Sequence, residues 1–222
     1  MTPQTELPRP ARERGRIAPV KLAHAVMRTS RYREMVGWYE TVLEAEVTFA
    51  NEQITFLTYD EEHHRVAIAH MPGLLDRPGF MASVEHVAFT YESLGDLIHT
   101  YRRLKASEIR PQWCINHGGT TSMYYGDPDG NHVELQVDNF ATAEELNAFL
   151  YGPDFATNPI GVDFDPEDLC ARFDAGASHE ELIRWPEVAP RGPETLPVSY
   201  LGRLHSTLAR LAGGRSPTSS RK

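Results

Sequence analysis

Residues 114 to 138, from Cys114 to Asp138, read C-I-N-H-G-G-T-T-S-M-Y-Y-G-D-P-D-G-N-H-V-E-L-Q-V-D. Two apolar, β-rich segments, Ser122–Tyr125 and His132–Val137, flank the D-P-D-G turn at Asp127–Gly130. Pro128 presets φ and Gly130 tolerates φ > 0, so the pattern predicts a hairpin. Side chains alternate along the second strand: Val133, Leu135 and Val137 face one way, His132, Glu134 and Gln136 the other. Glu134 is then a carboxylate carried on a rigid strand. Taken alone, a glutamate there is equally a solvated outer residue or half of a surface ion pair.

The chain repeats this unit. Lys21-Leu22-Ala23-His24-Ala25-Val26 and Ser83-Val84-Glu85-His86-Val87-Ala88 are short β-type runs with a histidine at the same place. Each is followed by an amphipathic helical pattern, further strand-like segments and an acidic turn into a last strand: Asp60 to Ile68 in the first copy, Asp127 to Leu135 in the second. A repeat fixes architecture before any element is assigned. The expected class is α+β: two tandem βαβββ modules, about 20–71 and 83–138, forming a curved mixed sheet around a metal-binding cleft. Pseudo-symmetry brings His24 and His86 together, and aligning Val66 with Val133 sets Ala67 opposite Glu134. Two imidazoles and one carboxylate are the ligand set of a divalent-metal site with open positions.

At this point the chain resembles the vicinal-oxygen-chelate superfamily, which embraces glyoxalases, bleomycin-resistance proteins and dioxygenases, and within it the single-domain type I extradiol ring-cleaving dioxygenases. The run Ile115-Asn116-His117, five residues, Met123-Tyr124, two residues, Asp127-Pro128-Asp129-Gly130, three residues, Glu134 is similar to that group's signature along its length. The resemblance covers about residues 20–140. It implies His24, His86 and Glu134 as Fe(II) ligands, with Mn(II) as the other ion this set accepts. It implies His64 as the acid-base residue, and His117 and Tyr124 as the pair touching bound catecholate. Spacing alone does not choose between His63 and His64; the resemblance selects His64. Its implied substrates are a small aromatic diol and O₂, and by analogy a homodimer or higher homo-oligomer is expected. Ala67 stands near where glyoxalase-type relatives place a fourth ligand, which leaves the metal open for diol and O₂. The alternatives on the same scaffold are a metal-dependent isomerase or epimerase, a thiol-transfer enzyme and a drug-sequestering binding protein.

At 222 residues with a formal net charge of −9, the chain suits one substantial core, and no Lys/Arg-rich run inside the repeats points to nucleic acid. Cys114 and Cys170 form no C-x-x-C, and neither a long apolar run nor an export signal is evident, so a cytoplasmic protein off the membrane is expected. Residues 1–19 read as a flexible arm carrying Arg12, Arg14 and Arg16. Val20–Met27 is the expected first strand, Arg31–Leu43 the first helix, Met71–Ala82 a linker and Leu94–Ala106 the second helix. Glu108–Ile115 is expected as the strand that delivers His117. Residues 141–222 form a mainly helical extension, opened by a capping box at Thr142-Ala143-Glu144-Glu145, with a last helix at Arg203–Leu211 and a disordered end. That extension is expected either as a surface or dimer-contact segment or as a cover placing Phe155 or Phe164 over an aromatic substrate.

Overall fold

The computed structural model describes residues 15, 18–75, 83–186, 189–192 and 195–197. The first half runs β1 (Ala25–Thr29), α1 (Tyr32–Leu43), β2 (Glu46–Ala50), β3 (Ile54–Thr58) and β4 (Val66–His70). The second repeats that order with β5 (His86–Thr90), α2 (Leu94–Ala106), β6 (Trp113–Asn116), β7 (Thr120–Gly126) and β8 (His132–Asp138). Strands lie in the order β1-β4-β3-β2 in one sheet and β5-β8-β7-β6 in the other. In each sheet the first and last strands pair parallel and the rest antiparallel. The two βαβββ units of the repeat are therefore present, and the hairpin forms as the D-P-D-G turn predicts, with Gly130 at φ +78°.

Two strand starts and one added strand set the structure apart from the sequence reading. The first strand starts at Ala25, because the Arg65 guanidinium takes the Leu22 carbonyl at 2.6 Å and the Ala23 carbonyl at 3.2 Å, and the β1–β4 ladder opens at Ala25 opposite Val66. The strand before His117 starts at Trp113; Glu108 sits at φ +63° and Pro111 has no N–H to donate, so pairing begins only after the Gln112 N–H reaches the Tyr124 carbonyl. The second sheet also gains a fifth strand, β9 (Val162–Asp163), paired with β6. Two residues carry no periodicity, so this strand left no trace in the sequence pattern.

One core serves both halves. Met35 and Val42 of α1, Leu57 and Ile68 of the first sheet, Leu97 and Leu104 of α2, and Met123 and Leu135 of the second sheet belong to one buried cluster. Each such side chain contributes about 1.5–3 kcal/mol by leaving water. Polar links cross the same boundary. Arg31 pairs with Asp129 at 2.8 Å, the Tyr39 hydroxyl donates to Asp127 at 3.2 Å, and Arg103 of α2 donates to the Thr41 and Val42 carbonyls at the end of α1. Those carbonyls are among the orphans of a helix C-terminus, where a cation is favourable.

The extension is helical as expected, with α3 (Ala143–Leu150), α4 (Pro153–Thr157), α5 (Pro166–Asp174) and α6 (His179–Ile183). The Thr142/Glu145 capping box forms. Leu169, Cys170 and Leu182 are buried in the main core, and Phe164 packs against it. Phe164 thus packs toward the core, and α5 and α6 contribute buried side chains to it. Cys114 and Cys170 are both buried and unpaired. No described helix is long and apolar enough to cross a membrane. Nearly all of the N-terminal arm, linker residues 76–82, the Arg203–Leu211 helix and the chain end lie outside the described residues.

Candidate metal and substrate site

Glu134 is only 4% exposed, so the solvated-face reading of this carboxylate is set aside. It pairs across the ladder with Tyr124, and parallel β5 brings Ala88 beside it. In the first sheet Val26 lies beside Ala67 in the same way, so the backbone register reproduces the alignment of Ala67 with Glu134. His86, one step before the Val87–Val133 pair, turns its Nε2 to within 3.0 Å of Glu134 Oε2, while its Nδ1 meets Glu85. Hydrogen bonds to Glu134 and then Glu85 push the imidazole up to about 9, against the opposing effect of burial. Burial raises the Glu134 carboxyl, but hydrogen bonds from His86, Ser122 and Tyr124 outweigh it and hold the group below its ordinary range. The result is a proton-sharing imidazole–carboxylate pair.

His24 stands at the matching place ahead of β1 but is exposed, and its ring lies 4.4 Å from that of His64. His64 is 8% exposed and stacks on Phe56 at 4.3 Å, whereas the side chain of His63 is 71% exposed. Their Nδ1 atoms are 2.5 Å apart. Both precede β4, in a bend, so the strand-alternation argument does not apply to them; burial separates them. Desolvation first, then the neighbouring His24 and His63, holds the His64 imidazole below its usual value and therefore neutral.

The second sheet carries the other pair. His117 Nε2 is 2.9 Å from the Tyr124 hydroxyl, and His117 Nδ1 is 2.5 Å from the Ile160 carbonyl. A carbonyl only accepts, so Nδ1 carries the proton; Nε2 is then the acceptor and the Tyr124 O–H donates to it. Burial lowers the His117 pKa, consistent with a neutral ring. Trp113 stacks on Tyr124 at 5.1 Å, and Trp113, Ile115 and Tyr124 form a small cluster with Ile160 and Leu196 packed against it. Phe155, on α4, meets the edge of Phe149 at 5.8 Å in an aromatic group with Phe140 and Trp185.

The structure thus joins His86 with Glu134, His117 with Tyr124, and His24 with His64, and it leaves His24 outside the first pair. Among the described residues, no three His, Cys, Asp or Glu side chains gather as a metal cluster. The chemistry of the His86–Glu134 pair still fits a divalent ion: one imidazole nitrogen and one carboxylate oxygen converge at 3.0 Å, close to the ~3 Å between adjacent ligand atoms when metal–ligand bonds are about 2.1 Å. Sequence reasoning missed Ile160, Ser122, Asp163 and Arg191, which act through hydrogen bonds between segments far apart in the chain and so leave no local signal.

Residues 21–135 match the family model "Glyoxalase/Bleomycin resistance protein/Dioxygenase superfamily". The chain belongs to this superfamily. It is 48% identical over 167 residues to "Biphenyl-2,3-diol 1,2-dioxygenase 2" of Rhodococcus globerulus, covering 74% of this chain and 87% of that relative. It is 46% identical over 164 residues to "Biphenyl-2,3-diol 1,2-dioxygenase 3" of the same organism, covering 73% of this chain and 86% of that relative.

Proposed function

We propose that the protein is an extradiol dioxygenase that opens the aromatic ring of a vicinal diol with O₂, using ferrous iron, or manganese in its place, held by His24, His86 and Glu134. The observation that carries the proposal is the His86–Glu134 pair beside the Tyr124–His117 pair, in a chain nearly half identical to two biphenyl-diol dioxygenases. The bound metal would supply Lewis acidity toward the diol hydroxyls and a route for electrons to O₂.

The chain's own groups then have distinct tasks. His86 must give up the proton it shares with Glu134 to act as a ligand, so metal and proton compete for this pair. Burial of Glu134 keeps water from the carboxylate and fixes its direction. Tyr124 has a single hydroxyl proton, which His117 Nε2 accepts, and Glu134 lies close enough to compete for it. Once a diol arrives, the Tyr124 proton stays on the bond to His117 Nε2, and the Tyr124 oxygen is the acceptor that orients a diol hydroxyl. His64 is neutral and its Nδ1 is turned to His63; in the tautomer that donates from Nδ1, Nε2 is free to take the phenolic proton. Trp113, Ile115, Ile160 and Leu196 pack around Tyr124 and hold its ring in place.

The test is anaerobic loading with ferrous ion, addition of catechol or 2,3-dihydroxybiphenyl, and admission of O₂. A yellow ring-opened product with stoichiometric oxygen uptake is expected. No uptake across a graded panel of diols by iron-replete protein refutes the proposal.

A further inference from the structure

The Tyr124–His117 pair is held from outside the two repeat modules. Arg191, beyond α6, uses its whole guanidinium. Nε donates to Thr195 Oγ1 at 2.8 Å, Nη1 to the Gly161 carbonyl at 3.0 Å and Asp163 Oδ1 at 2.8 Å, and Nη2 to Asp163 Oδ2 at 3.0 Å and the Thr195 carbonyl at 3.4 Å. A guanidinium has five N–H bonds, and each is engaged. Asp163 Oδ1 also accepts from Trp113 Nε1 at 2.8 Å, and Trp113 is the ring stacked on Tyr124 at 5.1 Å. On the other branch, Gly161, whose carbonyl Arg191 holds, follows Ile160, whose carbonyl accepts from His117 Nδ1. Space at this point is tight: a Cβ on Gly161, which sits at φ +123°, would lie 2.4 Å from the Asn116 carbonyl oxygen. The loop thus has little freedom except what Arg191 and Asn158 allow, and the Asn158 side chain binds Gly161 from below through both its backbone N–H and its carbonyl.

We infer that Arg191 is a positioning residue for the ring-cleavage site: by clamping Asp163 and Gly161 it fixes Tyr124 through Trp113 and fixes the His117 tautomer through the Ile160 carbonyl. This rests on the dioxygenase reading above. The side chain of Arg191 is 15% exposed; its hydrogen bonds to Asp163 and Gly161 act on the site through β9 and its neighbouring loop, and its charge also lowers the His117 pKa. A lysine offers one nitrogen and no planar fork, so it cannot hold a carboxylate and two carbonyls at once.

The test uses the full iron-loaded chain with Arg191→Ala, Arg191→Lys and Asp163→Asn, measured beside wild type for kcat, KM, bound iron and melting temperature, together with the His117 imidazole N–H proton in the NMR spectrum of the metal-free protein, assigned by its disappearance in His117→Gln. Expected are unchanged iron content, a kcat lowered roughly ten- to a hundred-fold as misplacement by about an ångström produces, a smaller change in KM, no rescue by lysine, and loss or faster exchange of the His117 N–H signal in Arg191→Ala. Asp163→Asn keeps a group of the same shape and answers for the case in which Arg191→Ala does not fold. Wild-type kcat together with an unchanged His117 signal in a folded Arg191→Ala protein overturns the inference while leaving the dioxygenase reading intact. Failure of wild type itself to cleave any diol sinks that reading, and the NMR signal still decides whether Arg191 orders His117.

Discussion

Replacing Asp127 by alanine tests whether the turn that organises the second module also locks it to the first. Asp127 is 6% exposed and accepts from Asp129 N at 3.0 Å, Asn131 N at 2.8 Å, Asn131 Nδ2 at 2.7 Å and the Tyr39 hydroxyl at 3.2 Å. Net hydrogen bonds are worth about 1 kcal/mol each, and a buried hydroxyl left without an acceptor costs about 1–3 kcal/mol. Tyr39 is 2% exposed, so its hydroxyl would be stranded. Against this stands the cost of burying the carboxylate, which raises the Asp127 pKa even after the bonds that oppose it are counted. The balance is a loss of about 3 kcal/mol for Asp127→Ala, a large share of the roughly 5–15 kcal/mol that separates folded from unfolded domains. Urea unfolding of Asp127→Ala, Tyr39→Phe and the double variant measures it, with about 1 kcal/mol of coupling expected between the two positions. A loss under 1 kcal/mol, or additive single effects, refutes the account of the turn as an inter-module lock. The sign with pH follows. The folded pKa lies above the ordinary value of 3.8, so between the two the folded state binds the extra proton and stability falls as pH rises through that window. Relative to Asp127→Asn, which does not titrate, wild type should gain stability as pH is lowered from neutrality toward 4. A flat difference contradicts the burial argument.

Three further outcomes are expected. Gly118→Ala puts a Cβ 2.1 Å from Phe149 Cζ at a residue with φ +84°; it should destabilise the fold by more than 1 kcal/mol and depress ring cleavage by displacing His117, as seen by thermal melting and product formation. Glu134→Gln should lower bound iron to well below one per chain in metal analysis with little change in circular dichroism, and full retention of iron would mean Glu134 is no ligand. His64→Phe should keep the metal and slow turnover at least a hundredfold, the order of general acid–base assistance; loss of iron instead would place His64 among the ligands.

The repeat made most of the fold legible. The histidine just before β1 and the one that opens β5, the acidic turns before β4 and β8, and the stripes of α1 and α2 are local patterns, and local patterns survive in one dimension. Tyr124 comes from the resemblance alone; that it shares a face with Glu134 follows from the register across the hairpin, where the two stand opposite each other. The pairing of His64 with His24 was not legible, since it depends on a bend before β4 whose direction no periodicity records. Nor was the bracing of His117 by Ile160: a backbone carbonyl accepts whatever its side chain, so the residue type at 160 announces nothing. Arg191 is hidden for the same reason, with two of its five acceptors being main-chain oxygens.

Cys114 lies on β6, between β7 and the short edge strand β9, with its thiol against the main core, and burial pushes it up to about 12. A sulfur that stays protonated and out of contact with solvent is a poor nucleophile and a poor target for peroxide. In a dioxygenase this means that the Cys114 sulfur is shielded from oxidants by the fold itself. Thiol-directed dyes should therefore ignore the native molecule and react only once it opens, which turns that cysteine into an internal gauge of unfolding.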